Sequence, residues 1–81
     1  MFYLYILKSE KFGTYYIGAS GNVEKRLKMH NNGAVQSTQY KKPWSIVYIK
    51  SFSTLREARK EELRLKSFKK RKEVDKLIEH F

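Results

Sequence analysis

Cysteine is absent from this 81-residue chain. Disulfides and thiolate zinc centres are thereby excluded, and a reducing, cytoplasmic location is the natural expectation. Proline occurs once and glycine four times, and no linker, internal repeat or low-complexity tract is present. One domain over residues 1–81 is expected. Long apolar runs are missing too. Phe2 to Leu7 is only six residues long and stops at Lys8, which suits a strand and neither a membrane span nor a signal peptide. Acidic residues are few: 8 Asp and Glu stand against 18 Lys and Arg, for a net charge of +10. So positive a surface attracts phosphate polyanions and releases their counterions. Nucleic acid is therefore the first partner to consider, ahead of an acidic membrane or a merely soluble basic surface. Charge alone does not separate a binder from an enzyme.

What is present in quantity is apolar and aromatic side chain, 41% and 15% of residues, ample for a folded core. Phe2 to Lys8 and Thr14 to Gly18 are rich in β-formers and flank a turn-like stretch containing Gly13, which predicts a β-hairpin. Centring it near Glu10 and Lys11 puts Tyr5 opposite Tyr16, with both phenols on one face. By alternation Phe2, Leu4 and Ile6 form the core face, and Tyr3, Tyr5 and Leu7 the other. Asn22 is a good N-cap for a helix from Val23 to about Asn31, ended by Gly33, with Glu24 in its first turn. Val23 and Leu27 form its apolar stripe. Arg26 and His30, four apart, stack on one flank and can act on one ligand.

Residues 32–43 show no periodicity and form a polar loop carrying Lys41 and Lys42, long enough to have a function. Trp44 to Phe52 reads as a third strand. Ser53 or Thr54 caps a helix from about Leu55 to Ser67, whose inward positions are Leu55, Ala58, Glu62, Leu65 and Phe68. Glu62 interrupts that apolar stripe. The final segment opens with Lys69, Lys70, Arg71 and Lys72 and continues with Val74, Leu77, Ile78 and Phe81 at helical spacing. The expected class is α+β, ordered β-β-α-β-α-α, with a three-stranded antiparallel or mixed sheet flanked by helices.

Tyr3-Leu4-Tyr5, then Tyr16-Ile17-Gly18, then Arg26 and His30 on the next helix and Glu62 on a later one resemble the GIY-YIG nuclease family over nearly the whole chain. The likeness extends to its small single-domain bacterial members through the helical segment Val23 to Asn31 and through Ser37-Thr38, Pro43-Trp44 and Val47-Tyr48. One departure is that the first motif lacks its Gly-Ile, so only Tyr5 carries over. The resemblance implies a metal-dependent endonuclease that hydrolyses DNA phosphodiester bonds in repair or recombination, reading structure more than sequence. RNA is the competing polyanion, and a protein partner supplying specificity and a monomer or weak dimer are left open. The alternative is a nucleic-acid-binding module with the same fold and little or no turnover.

The roles that the resemblance implies are chemically reasonable. Hydrolysis needs an in-line nucleophile, neutralisation of charge on the non-bridging oxygens and help for the leaving oxygen. Glu62 is the ligand expected for Mg²⁺, with Mn²⁺ as the alternative ion; its plainer reading is an ion pair with Arg59 or Lys66. Glu61, turned about 100° away, serves as a control and should lie at the surface. Arg26 suits a planar grip on phosphate, or else is a solvated helix charge. His30 can share a proton near neutral pH, or else is a cation at a helix C-terminus. Tyr5 is the implied proton acceptor and Tyr16 aligns water or phosphate, which requires Arg26 and the metal to lower a phenol pKa of about 10. Gly18 would keep the approach of DNA to Tyr16 clear. Lys41, Lys42, Lys69, Lys70, Arg71 and Lys72 form a candidate phosphate track, or else are merely solvated.

Overall fold

The computed structural model describes residues 1–68 and 71–81. Strand β1 (Phe2–Ser9) lies in the middle of a three-stranded sheet, between β2 (Tyr15–Ser20) and β3 (Trp44–Phe52), in the order β2-β1-β3. Both pairings are antiparallel, which decides between the two sheet types left open above. Helices α1 (Val23–Asn31), α2 (Leu55–Lys66) and α3 (Arg71–Glu79) complete the fold, with a short 3-10 turn at Gln39–Lys41. The α+β class and the element order are as expected. Lys69 and Lys70 lie outside the described residues.

The hairpin register differs from expectation. Tyr5 pairs with Gly18 and Leu7 with Tyr16, a shift of two residues. The turn is closed by the Ser9 N–H donating to the Thr14 carbonyl (2.8 Å) and the Gly13 N–H to the Ser9 carbonyl (2.8 Å). Gly13 takes φ +71° there, a conformation that glycine adopts at little cost. The turn is thus centred later than Glu10 and Lys11. A shift of two preserves faces, so Tyr5 and Tyr16 remain on one side as diagonal neighbours.

The division of β1 into one core face and one other face also needs correction. Leu4 and Ile6 pack with Ile17, Tyr48, Leu65 and Val74, on the side covered by α2 and α3. Tyr5 and Leu7 pack with Val23 and Trp44, on the side covered by α1. All four β1 side chains are buried. A central strand covered on both faces reads as a continuous apolar run, and Phe2 to Leu7 is one.

Local signals set the helices. The Asn22 side chain accepts from the Lys25 N–H (3.0 Å), and the Thr54 hydroxyl accepts from the Glu57 N–H (3.2 Å). After α1, Gly33 turns left-handed (φ +82°) and the Ala34 N–H reaches the Met29 carbonyl (3.0 Å), a helix stop of the Schellman kind. Asn31 brackets the start of β3 by donating to the Trp44 carbonyl (3.0 Å) and accepting from its N–H (2.6 Å). The Trp44 indole N–H donates to the Thr38 carbonyl (3.1 Å). The loop between α1 and β3 is thereby tied down. Among the described residues no helix is long and apolar enough to cross a membrane.

Candidate active site

The position of Tyr5 follows from its partner across the strands. A Cβ added at Gly18 would stand 2.5 Å from the Tyr5 Oη and 2.6 Å from its Cζ. The phenol therefore lies across a backbone that carries no side chain. Gly18 does not have a positive φ, so this close approach, and not backbone freedom, is what requires glycine. The space is taken by Tyr5, and Gly18 also lines the pocket that Tyr16 lines.

At the β2 edge of the sheet, Tyr5, Tyr16, Gly18, Ala19, Arg26, Arg59 and Glu62 line a polar pocket of about 210 Å³. Four of the five residues singled out for chemistry meet here, from β1, β2, α1 and α2. The Tyr5 and Tyr16 rings are 6.4 Å apart. Burial raises the Tyr5 pKa above the usual phenol value, against the lowering effect of the adjacent Arg26 guanidinium. The expectation that Arg26 would help bring this phenol down is met in direction only. Desolvation is the larger effect, so the Tyr5 phenol stays protonated at neutral pH. Arg26 is in turn held firmly charged by Tyr5.

His30 stands behind the pocket. It is fully buried, with its ring 4.6 Å from that of Tyr16 and 6.4 Å from that of Tyr5. Burial, and then the Arg26 charge, push its pKa below the usual imidazole value. It is a neutral core residue and not a helix-terminal cation. Its Nδ1 lies 2.8 Å from the Thr38 Oγ1. The Thr38 hydroxyl donates to the Val35 carbonyl (3.3 Å). A hydroxyl has one proton to give, so Thr38 accepts from Nδ1–H and the Nε2 lone pair is left free. Nε2 has no hydrogen-bond partner among the described residues. This tautomer leaves an unpaired acceptor; the other would bury an unpaired N–H, which native structures tolerate less well.

Glu62 lines the pocket and also binds Lys66 Nζ at 2.6 Å, with 20% of its side chain exposed. The ion pair with Lys66 and the site position coexist. Arg59 makes no ion pair with Glu62 among the described residues and lines the pocket itself. The control fails: Glu61 has 15% of its side chain exposed, is bound through both oxygens by Arg64 and is acidified by it. The helical rotation was right, but that direction is a surface groove shared with Phe52, in which Glu61 is half-buried.

No cluster of three or more His, Asp or Glu side chains able to share a metal ion occurs among the described residues. One carboxylate in a polar pocket still fits Mg²⁺, which keeps most of its waters and takes one or two protein carboxylates along with substrate oxygens. Lys41, Lys42 and Lys72 are exposed and line no part of the pocket. Arg71 stacks on the Tyr15 ring (4.5 Å) and reaches Asp75 (3.6 Å), which also accepts from the Tyr15 hydroxyl. Through the Tyr15 ring it ties α3 to the sheet, while its side chain stays 52% exposed. Sequence reasoning missed Arg59, although its place three residues before Glu62 put it on the same flank. Thr38 and Asn31 were also missed as supports, and no periodic signal marks them.

A family model described as the GIY-YIG catalytic domain matches residues 1–75. The UPF0213 protein of Staphylococcus saprophyticus is 38% identical over 73 residues, 89% of this chain and 88% of that protein. The Clostridium perfringens UPF0213 protein is 42% identical over 67 residues, 82% and 71% of the two chains. The solution NMR structure of the UPF0213 protein BH0048 from Bacillus halodurans superposes with a TM-score of 0.57 at 29% identity, covering 95% of this chain and 83% of that one.

Proposed function

Because the chain belongs to the GIY-YIG catalytic-domain family, whose nucleases generally use a divalent metal ion, we propose that it is a Mg²⁺-dependent endonuclease that hydrolyses DNA phosphodiester bonds. The observation that carries this reading is the convergence of Tyr5, Tyr16, Arg26 and Glu62 on one pocket. Arg26 offers a planar fork to the scissile phosphate, and Arg59 a second cation at the rim. Tyr16 aligns a water or phosphate oxygen. Neutral His30, with Nε2 free, stands behind it as the group able to take up a proton. Protonated Tyr5 lies against Arg26; the proton-accepting role implied for it requires more positive charge than Arg26 provides. Glu62, once released by Lys66, would hold the metal ion, which when bound neutralises phosphoryl oxygens and acidifies water.

The lining side chains suit a phosphate backbone better than base edges, which favours recognition of DNA structure over sequence, as in repair or recombination in the cytoplasm. The test is cleavage of plasmid and branched DNA with Mg²⁺. Loss of cutting is expected in Glu62→Ala and Arg26→Ala proteins of unchanged fold, whereas full activity in Glu62→Ala removes the mechanism.

A second reading, a binding module with slow or no turnover, is favoured by the Glu62–Lys66 ion pair and the raised Tyr5 pKa. Salt-sensitive DNA binding without a metal-dependent product on any substrate would select it. RNA competition in the same assay tests the choice of nucleic acid.

A further inference from the structure

The outer face of α2 continues the pocket. Arg59 lines the pocket with Glu62, and it also lines a shallow hollow with Leu55, Arg56, Lys60 and Leu63. Arg56, Arg59 and Lys60 recur at spacings of three and four, and so form one stripe that runs from the pocket around the helix. All three are exposed. The other cations of α2 are engaged, Arg64 by Glu61 and Lys66 by Glu62. Arg56, Arg59 and Lys60 make no ion pair among the described residues. Leu63, 69% exposed, lies among them as apolar surface in the hollow. In a protein of net charge +10, an unneutralised stripe that begins at a candidate phosphate-cleaving pocket matches a backbone of regularly spaced phosphates.

We propose that the DNA strand leaving the pocket runs along α2, with its phosphates on Arg59, Arg56 and Lys60 in turn. This rests on the proposed function for the identity of the ligand. This track adjoins the pocket, whereas Lys41, Lys42 and Lys72 line no part of it.

Binding of a fluorescent DNA duplex, followed by anisotropy over a range of salt without divalent metal, tests it. The double variant Arg56→Ala/Lys60→Ala lies outside the pocket and removes two exposed charges. It should weaken binding at least about tenfold and flatten the log–log salt dependence by about two, one unit for each lost phosphate contact. The matched double Lys72→Ala/Lys76→Ala, on α3, removes the same charge and should change both quantities far less. Wild-type affinity and slope in the α2 double, or equal losses in both doubles, would overturn the track. Glu62-dependent cutting that survives such a result leaves the nuclease reading standing. Loss of binding in the α2 double, with no metal-dependent product from the wild type, supports the track and sinks the nuclease reading instead.

Discussion

Replacing Gly18 with alanine isolates the contact that holds Tyr5 across β2. The new methyl would stand 2.5 Å from the phenol oxygen, about 0.9 Å inside the 3.4 Å at which ordinary contact begins, and 2.6 Å from Cζ. Tyr5 is only 1% exposed, so its ring has little room to yield. Overpacking of this kind costs about 1–3 kcal/mol. Without the clash the same substitution would help, since glycine within a strand is roughly 0.5–1 kcal/mol worse than alanine. Its sign should therefore depend on Tyr5. In urea denaturation followed by far-UV circular dichroism, Gly18→Ala should destabilise the wild type by about 1–3 kcal/mol and stabilise the Tyr5→Ala protein by roughly 0.5–1 kcal/mol, a coupling of about 1.5–4 kcal/mol between neighbours. The same displacement should depress turnover more than affinity, because a shift of about 1 Å in a positioned group can cost on the order of 100-fold. An equal effect of Gly18→Ala in both backgrounds would refute the close approach.

Thr38→Val should cost about 1–3 kcal/mol by leaving the buried Nδ1–H of His30 without an acceptor, while Thr38→Ser should cost little. ¹⁵N NMR should find the His30 proton on Nδ1 in the wild type, and a proton on Nε2 would contradict the assignment. The folded-state pKa of His30 lies below its unfolded value of about 6.5. The unfolded chain therefore binds the extra proton first, and stability contributed by this group is intact above about pH 6.5 and lost as pH falls toward the folded pKa. Melting temperatures between pH 7.5 and 5 should show that loss in the wild type and a shallower one in His30→Gln; parallel slopes would exclude His30 as the source. Removing the competing ammonium in Lys66→Met should tighten Mn²⁺ binding to Glu62, read from the loss of the free-ion EPR signal, and unchanged affinity would show that the ion pair does not oppose the metal.

Helix starts and the third strand were legible because their determinants are local, whereas β2 runs to Ser20, two residues past the Gly18 at which it was expected to end. Asn22 caps α1 as expected, Thr54 rather than Ser53 caps α2, and β3 runs from Trp44 to Phe52 as read. The hairpin register was not, because it depends on how Ser9, Gly13 and Thr14 close the turn. Burial of both faces of β1 was missed by treating an uninterrupted apolar run as an alternating one. Glu62 stood out as a carboxylate in an apolar stripe, and the pocket places it beside Tyr5 and Arg26. The burial of His30 depends on a loop without periodicity, where Thr38 and Trp44 are fixed by contacts distant in sequence. Glu61 misled for a related reason. A helical rotation gives direction, but only the packed sheet says what lies there.

The middle position of β1 also governs how the chain can assemble. Its partner on one side arrives within a short hairpin, but the other, β3, begins 35 residues after β1 ends at Ser9. Until that non-local pairing closes, the Phe2–Leu7 run has an open edge of unpaired backbone groups, and pairings of this kind form slowly. During synthesis this most apolar stretch therefore waits for residues 44–52. The interval is one of aggregation risk, moderated by the flanking Lys8 and by repulsion between copies that carry the same large positive charge.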